Sequence, residues 1–214
     1  MAASIIGILA LLALTSPLAL ASDPSPLQDF CVADEMPQVF VNGFVCKDPK
    51  LAKAEDFFYS GLDKPGDTNN KYGSKVTLVD VQKLPGLNTL GIAVARLDVA
   101  PFGINPPHTH PRATEILTVL EGSFYAGFIT SDNKLFAKVI SKGDVFVFPK
   151  GLIHFEFNYG TVPAVGIASL SSQNPGLIRV ADALFGSNPR ISEEVLAKAF
   201  QVDKKIIDWL KTKF

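Results

Sequence analysis

The chain has 214 residues, with 20 basic and 21 acidic side chains and a formal net charge of −1. The basic residues are scattered rather than clustered, which argues against a nucleic-acid partner. With 47% hydrophobic and only 19% charged residues, the chain can bury a large core. This composition excludes an intrinsically disordered protein and favours a single folded domain.

The first segment predicts export. Residues 5–14 are almost entirely aliphatic but too few to span a bilayer, and Ala19-Leu20-Ala21 supplies the small residues of a signal-peptidase site. We therefore predict a signal peptide over residues 1–21, with an uncleaved membrane anchor as the alternative. After cleavage the chain is expected to be secreted and free of the membrane.

The next segment, residues 22–62, predicts an irregular N-terminal arm, because Asp, Pro and Gly recur along it. It contains Cys31 and Cys46, the only cysteines of the chain. An even count in an oxidising compartment favours a disulfide, with two free thiols as the alternative.

Residues 63–185 predict an all-β domain. Short runs rich in β-branched and aromatic residues alternate with turn signals about every ten residues, which is typical of an antiparallel sandwich or barrel. The runs are residues 76–81, 91–99, 115–120, 123–130, 135–140, 145–148, 153–157 and 165–170.

The last segment, residues 186–214, predicts two short amphipathic helices. Ser192 and Asp203 are suitable N-caps, and apolar stripes follow each of them. The stripes are Val195, Leu196, Ala199 and Phe200 in the first helix and Ile206, Ile207, Leu210 and Phe214 in the second. Two burial sites stay open, namely the chain's own barrel and a neighbouring subunit.

The three histidines of the chain predict a metal site. His108 and His110 are two residues apart, which places both imidazoles on one face of a strand. Glu115 lies an odd number of residues further on, but the intervening Pro-Arg pair can break the strand and restore its direction. Antiparallel pairing can bring His154 into the same interior. Three imidazoles and one carboxylate suit a divalent transition metal, and the residue types alone leave manganese, iron and zinc open.

These residues lie in motifs that resemble those of the cupin superfamily. Residues 103–115 with Gly122 resemble the first cupin motif. The second motif, G-x5-P-x-G-x2-H-x3-N, is matched by Gly143, Pro149, Gly151, His154 and Asn158. Further matches at residues 28–34, 43–46, 57–61 and 172–176 extend over nearly the whole mature chain. On these residues the chain is identified as a member of the germin-like proteins of plants.

The resemblance implies a cupin jelly-roll β-barrel that holds manganese through four residues and carries a Cys31–Cys46 disulfide. The implied ligands are His108, His110, Glu115 and His154. It also implies secretion to the apoplast or cell wall, a role in plant defence, and contact with cell-wall components. The implied assembly is a homohexamer, a trimer of dimers in which the C-terminal helices clasp neighbouring subunits.

Departures from the family pattern affect the expected activity. True germins are oxalate oxidases, and similar enzymes orient the substrate with two Asn side chains beside the metal. Asn105 keeps one of them, but Ala95 stands in place of the other, so oxalate oxidase activity is not favoured. Phe102 stands where the first motif usually begins with Gly. Asn158 is expected to act in a turn or behind the metal ligands rather than in catalysis.

Three functions follow. A manganese superoxide dismutase needs only an accessible redox metal with an open position for a small anion, so it does not require the missing Asn. The alternative is a non-catalytic cell-wall or receptor-binding protein in which the metal is structural. Oxalate oxidase is the third.

Overall fold

The computed structural model describes residues 28–36, 39 and 43–214. The predicted signal peptide and its cleavage site after Ala21 lie outside these residues. Within the described ranges, no helix is both long enough and apolar enough to cross a membrane.

In this part of the chain, ten strands form two five-stranded antiparallel sheets. Sheet 1 contains β1 (Ser74–Val79), β2 (Ala93–Val99), β4 (Glu115–Glu121), β7 (Val145–Phe148) and β9 (Ala164–Leu170). Sheet 2 contains β3 (Ile104–Thr109), β5 (Ser123–Ile129), β6 (Leu135–Ser141), β8 (Ile153–Phe157) and β10 (Ile178–Arg179). The orders are β1-β2-β9-β4-β7 and β10-β3-β8-β5-β6, so most neighbours in each sheet are distant in sequence. The predicted all-β jelly-roll barrel is confirmed.

The core lies between the two sheets, because alternate side chains of each strand point inward. Along β4, for example, Leu117 and Val119 are buried while Ile116 and Leu120 are exposed on the outer face. Phe124 of sheet 2 packs into the same cluster. The strands, predicted from runs of β-branched and aromatic residues, thus separate core from surface with a period of two.

A disulfide closes a loop within the N-terminal arm, and polar contacts hold the chain that precedes β1 against the barrel. Cys31 and Cys46 form the predicted disulfide. Further along, Leu62 accepts a hydrogen bond from the Arg96 guanidinium at 3.0 Å, and the Gly66 N–H donates to Asp98 at 2.9 Å. Arg96 and Asp98 also form an ion pair at 2.7 Å on the outer face of sheet 1. These contacts tie the chain that precedes β1 to β2.

Three helices follow the last strand: α1 (Val180–Phe185), α2 (Glu193–Phe200) and α3 (Lys204–Lys211). The predicted caps are confirmed, since Ser192 accepts from the Val195 N–H and Asp203 from the Lys205 N–H. The six-residue helix α1 was not predicted, because Arg179 before it makes no side-chain cap bond and the helix is too short to show a period.

The helices bury only part of their predicted stripes. Leu196 and Ile207 pack with Phe185 of α1 in a small core of their own. Val195 and Ile206, each adjacent in sequence to one of those buried residues, are exposed. Successive residues point about 100° apart around a helix, so a stripe of adjacent apolar residues is wider than one contact surface.

Candidate metal centre

Two of the histidines meet through strand pairing in sheet 2. His108 near the end of β3 and His154 on β8 are register partners. Because cross-strand partners share a face, both rings point inward, and their centroids lie 4.1 Å apart. His110 follows directly after β3, and its ring centroid is 5.1 Å from that of His108. The predicted placement of His108 and His110 on one side of the strand is confirmed.

A bulge in β3 turns Asn105 toward the same interior. Asn105 pairs with Glu156 and His108 with His154, so three steps along β3 match two steps along β8. The two residues between Asn105 and His108 are prolines, which have no N–H to donate to the ladder. Asn105 and His108 are three residues apart, a spacing that would point them to opposite faces of a regular strand. The extra residue of the bulge brings them to the same face, and both side chains are buried.

The carboxylate comes from the opposite sheet. β3 ends at Thr109 and β4 begins with Glu115, so the predicted strand break after the histidine pair is confirmed. Glu115 Oε2 lies 2.9 Å from His110 Nε2 and 3.5 Å from His154 Nε2. Phe148 of sheet 1 stacks on the His154 ring, with centroids 4.5 Å apart. The cluster therefore bridges the two sheets.

The four predicted ligands form one compact group. Their donor atoms all lie within 4.8 Å of one another, as expected for a site that could hold one metal ion. The group consists of His108, His110, Glu115 and His154.

The ring orientations fit metal binding. The Nδ1 atoms of His108, His110 and His154 lie 2.8, 2.5 and 2.9 Å from backbone carbonyl oxygens. A carbonyl can only accept, so each Nδ1 carries a proton, and a ring that is neutral in this orientation directs an Nε2 lone pair at the cluster. His154 Nε2 is buried without a hydrogen-bond partner. A metal ion would satisfy this atom, so the residues present fit the metal that the fold family implies.

The electrostatics of the metal-free cluster favour one charge pair. Burial, reinforced by the charges of the other two imidazoles, lowers the pKa of His108 to about 3. Burial also opposes protonation of His110, but the hydrogen bond and charge of Glu115 outweigh it and raise the pKa of His110. Burial opposes ionisation of Glu115, yet the imidazoles of His110 and His154 lower its pKa to about 2. A metal ion bound here would replace the proton on His110.

A cavity of about 160 Å³ adjoins the cluster. Sheet 1 gives it an aliphatic wall, and Asn105 and Arg179 of sheet 2 are its polar residues beside the ligands. The wall consists of Val76, Leu78, Ala95, Leu97, Ala168 and Leu170, joined by Leu177 before β10. Ala95, which departs from the family pattern, therefore faces the cavity, and its methyl group offers no hydrogen bond.

The two asparagines predicted near the metal have different roles. Asn105 donates to Glu156 Oε2 at 2.9 Å and lines the cavity. Asn158 donates to the carbonyl oxygens of Val99, Ala100 and Val162 and accepts from the Gly160 N–H. Of the two roles expected for Asn158, these bonds place it in the turns, since none of its partners lines the cavity.

Two residues of the site were not predicted. Glu156 is fully buried behind Asn105, and its Oε1 has no hydrogen-bond partner. The sequence contained a signal for it, because it stands two residues after His154 on the same strand. Arg179 was missed because β10 has only two residues and shows no alternation.

Phe102 shows why the family pattern places Gly at its position. Its φ is 58°, in the left-handed region that glycine adopts readily. Its side chain is exposed at the turn before β3, so the substitution removes no ligand.

Comparisons with known proteins agree with the geometry. The sequence profile of the cupin family matches residues 60–208. Germin-like protein 8-2 of Oryza sativa subsp. japonica is 69% identical over 209 residues, which cover 96% of this chain and 95% of the relative. Germin-like protein 12-2 of the same organism is 65% identical over 213 residues, with 96% and 93% covered.

A solved structure is similar over most of the chain. Recombinant oxalate oxidase in complex with glycolate superposes with a TM-score of 0.88 at 48% identity. The match covers 90% of this chain and 98% of that protein.

Proposed function

Because the chain belongs to the germin-like proteins of the cupin family, we propose that it is a secreted manganese protein whose metal centre dismutates superoxide. One observation carries the proposal: three imidazoles and one carboxylate converge beside a cavity that has room for a small anion. Bound manganese would supply redox cycling and a coordination position for the anion. His108, His110, Glu115 and His154 would hold it.

The protein residues set the charge of the site. Three neutral imidazoles and one carboxylate leave a divalent ion with a net charge of about +1, which attracts an anion. The aliphatic wall excludes water and thereby strengthens that attraction. Glu156 accepts a hydrogen bond from the Asn105 amide, so this polar side chain beside the ligands is fixed in position.

Oxalate oxidation is not the function we propose, although an oxalate oxidase structure is similar to this chain. A dianion needs several donors when it leaves water, and at Ala95 the cavity wall provides none. Superoxide is smaller and carries a single charge, so the same wall disfavours it less.

A second candidate is a binding protein of the cell wall in which the metal is structural. Exposed apolar side chains favour it, because large exposed patches mark interaction surfaces. They occur on the outer face of sheet 1, at Ile92, Ile116, Val145 and Val147, and on the helices, at Val195, Phe200, Ile206 and Trp209.

We assign these two surfaces to further copies of the chain. A homohexamer, built as a trimer of dimers, would bury both and leave other faces for cell-wall components. Light scattering of Ile116→Glu and Trp209→Glu tests this assignment: we expect the hexameric mass only for the unchanged protein and a smaller oligomer for each variant, because each variant keeps the other interface. A monomeric unchanged protein would contradict it.

Secretion to the apoplast, which the predicted leader and the disulfide support, puts the assembly outside the cell.

Metal analysis of the purified secreted protein tests the function, with superoxide dismutation and oxalate oxidation assayed on the same sample. We expect near-stoichiometric manganese, dismutation, and little oxalate turnover. His110→Ala should lose both metal and dismutation, whereas Lys138→Ala, on the exposed strand β6, should keep them. Stoichiometric metal without either activity would favour the second candidate, and full metal occupancy in His110→Ala would refute the assigned site.

A further inference from the structure

Arg179 lies beside the metal cluster on the interior of sheet 2. It ends β10, and its register partner on β3 is His108. Because cross-strand partners share a face, the Arg179 side chain leaves the sheet on the side of the cluster. It lines the cavity together with Asn105 and the ligands. A permanent positive charge therefore borders the place where a ligand of the metal would lie.

Part of the guanidinium is left without a partner. Arg179 Nε is buried and has no hydrogen-bond acceptor. Elsewhere on the same guanidinium, Nη1 lies 3.6 Å from Asp182 Oδ2, and the side chains of Arg179 and Asp182 are each more than a third exposed. A buried N–H of a charged group without an acceptor is unfavourable, so an acceptor bound in the cavity would stabilise this arrangement.

The surroundings define the acceptor. A carboxylate matches the fork of a guanidinium better than a neutral oxygen does. The Asn105 amide already donates to Glu156, so few other donors are available for a second charged group. The other residues that line the cavity, which include Val76 and Leu177, are mostly aliphatic. They favour a ligand whose remaining part is apolar over one with a second carboxylate.

The size of the cavity limits the ligand. Its volume is about 160 Å³. An engineered cavity of about 150 Å³ in another protein binds benzene, and butyrate is about as large as benzene. The cavity beside the cluster is therefore large enough for a ligand up to about the size of butyrate.

We infer that Arg179 makes the cavity a binding site for a small aliphatic monocarboxylate, whose carboxylate accepts hydrogen bonds from the guanidinium and whose chain packs against the aliphatic wall. The inference concerns the same cavity as the proposed function but does not require redox activity. A protein that binds butyrate through Arg179 without dismutating superoxide would contradict the redox proposal alone.

Calorimetric titration with butyrate tests the inference on the full protein, both manganese-loaded and metal-free. We expect binding in both forms, with affinity rising from formate through acetate to butyrate and lower for oxalate. Arg179→Gln should weaken butyrate binding by about tenfold, as expected for the loss of one charge-assisted contact, and Arg179→Lys should recover part of it.

The matched control is Arg112→Gln. Arg112 also lies near the cluster, but its Nε and Nη2 donate to Asn174 at 2.7 and 3.0 Å and need no ligand. This variant should bind butyrate as the unchanged protein does. Equal affinity in Arg179→Gln, or binding that occurs only with metal present, would overturn the inference. So would the absence of a chain-length trend, which is measured on the unchanged protein and does not depend on how any variant folds.

Discussion

The two sheets of the barrel contribute differently to the metal cluster and to the cavity beside it. Sheet 2 carries the polar groups, with His108 and Asn105 on β3, His154 on β8 and Arg179 on β10. Sheet 1 faces them with aliphatic side chains and a single charge, Glu115. The two walls meet at the residues that would hold the metal. These residues come mainly from β3, β4 and β8, whereas a molecule bound beside the metal would contact mainly β1, β2, β9 and β10.

This division separates two kinds of change. Substitutions of the three imidazoles or of Glu115 should alter whether a metal is held, because these side chains are the predicted ligands. Substitutions on the aliphatic wall should alter what binds beside the metal while leaving the ligands in place. A protein in which both walls affected metal affinity equally would contradict the division.

The largest effect is expected for His154→Ala on the polar wall. Removing one of three imidazoles should weaken manganese binding by at least about 100-fold. Ligand present at about 100 times its dissociation constant stabilises a folded protein by about 2.7 kcal/mol, and the variant should lose that share. Thermal unfolding with and without chelator measures it. Chelator should lower the melting temperature of the unchanged protein and leave that of the variant where it is.

A smaller effect is expected for Ala95→Asn on the aliphatic wall. The new amide would add a donor for a bound dicarboxylate, so kcat/KM for oxalate oxidation should rise by about tenfold, while metal content stays the same. Ala168→Asn is the matched control, because Ala168 is the register partner of Ala95 and lines the same wall. A rise in both variants, or in neither, would show that the position of the amide is not what limits oxalate turnover.

The sequence predicted the regular parts of this molecule. Runs of β-branched and aromatic residues between turn signals identified strands such as β4 and β5, and the spacing of two identified the His108–His110 pair. It did not reveal the bulge before His108, because register depends on the partner strand, β8. Arg179 was hidden for a related reason, since β10 exists only as a short pairing with β3. The ligands could thus be predicted from local spacing, whereas the cavity around them required the sheet topology.

The smallest effect concerns Glu156, a carboxyl group that the polar wall buries completely. Burial, together with the charge of Glu115, raises its pKa well above the usual range, and the hydrogen bond from Asn105 only partly opposes this. A pKa raised by folding means that the folded state holds the proton more tightly than the unfolded state, so stability falls as pH rises above about 4.5. Glu156→Gln removes this dependence and keeps an acceptor for Asn105. The metal-free variant should therefore be more stable than the unchanged protein by about 1 kcal/mol at pH 7.5 and about equal to it near pH 4. At about 2 to 4 °C per kcal/mol, the gain is measurable by thermal unfolding at the two pH values. An equal gain at both would mean that packing, rather than the buried charge, limits stability on this wall.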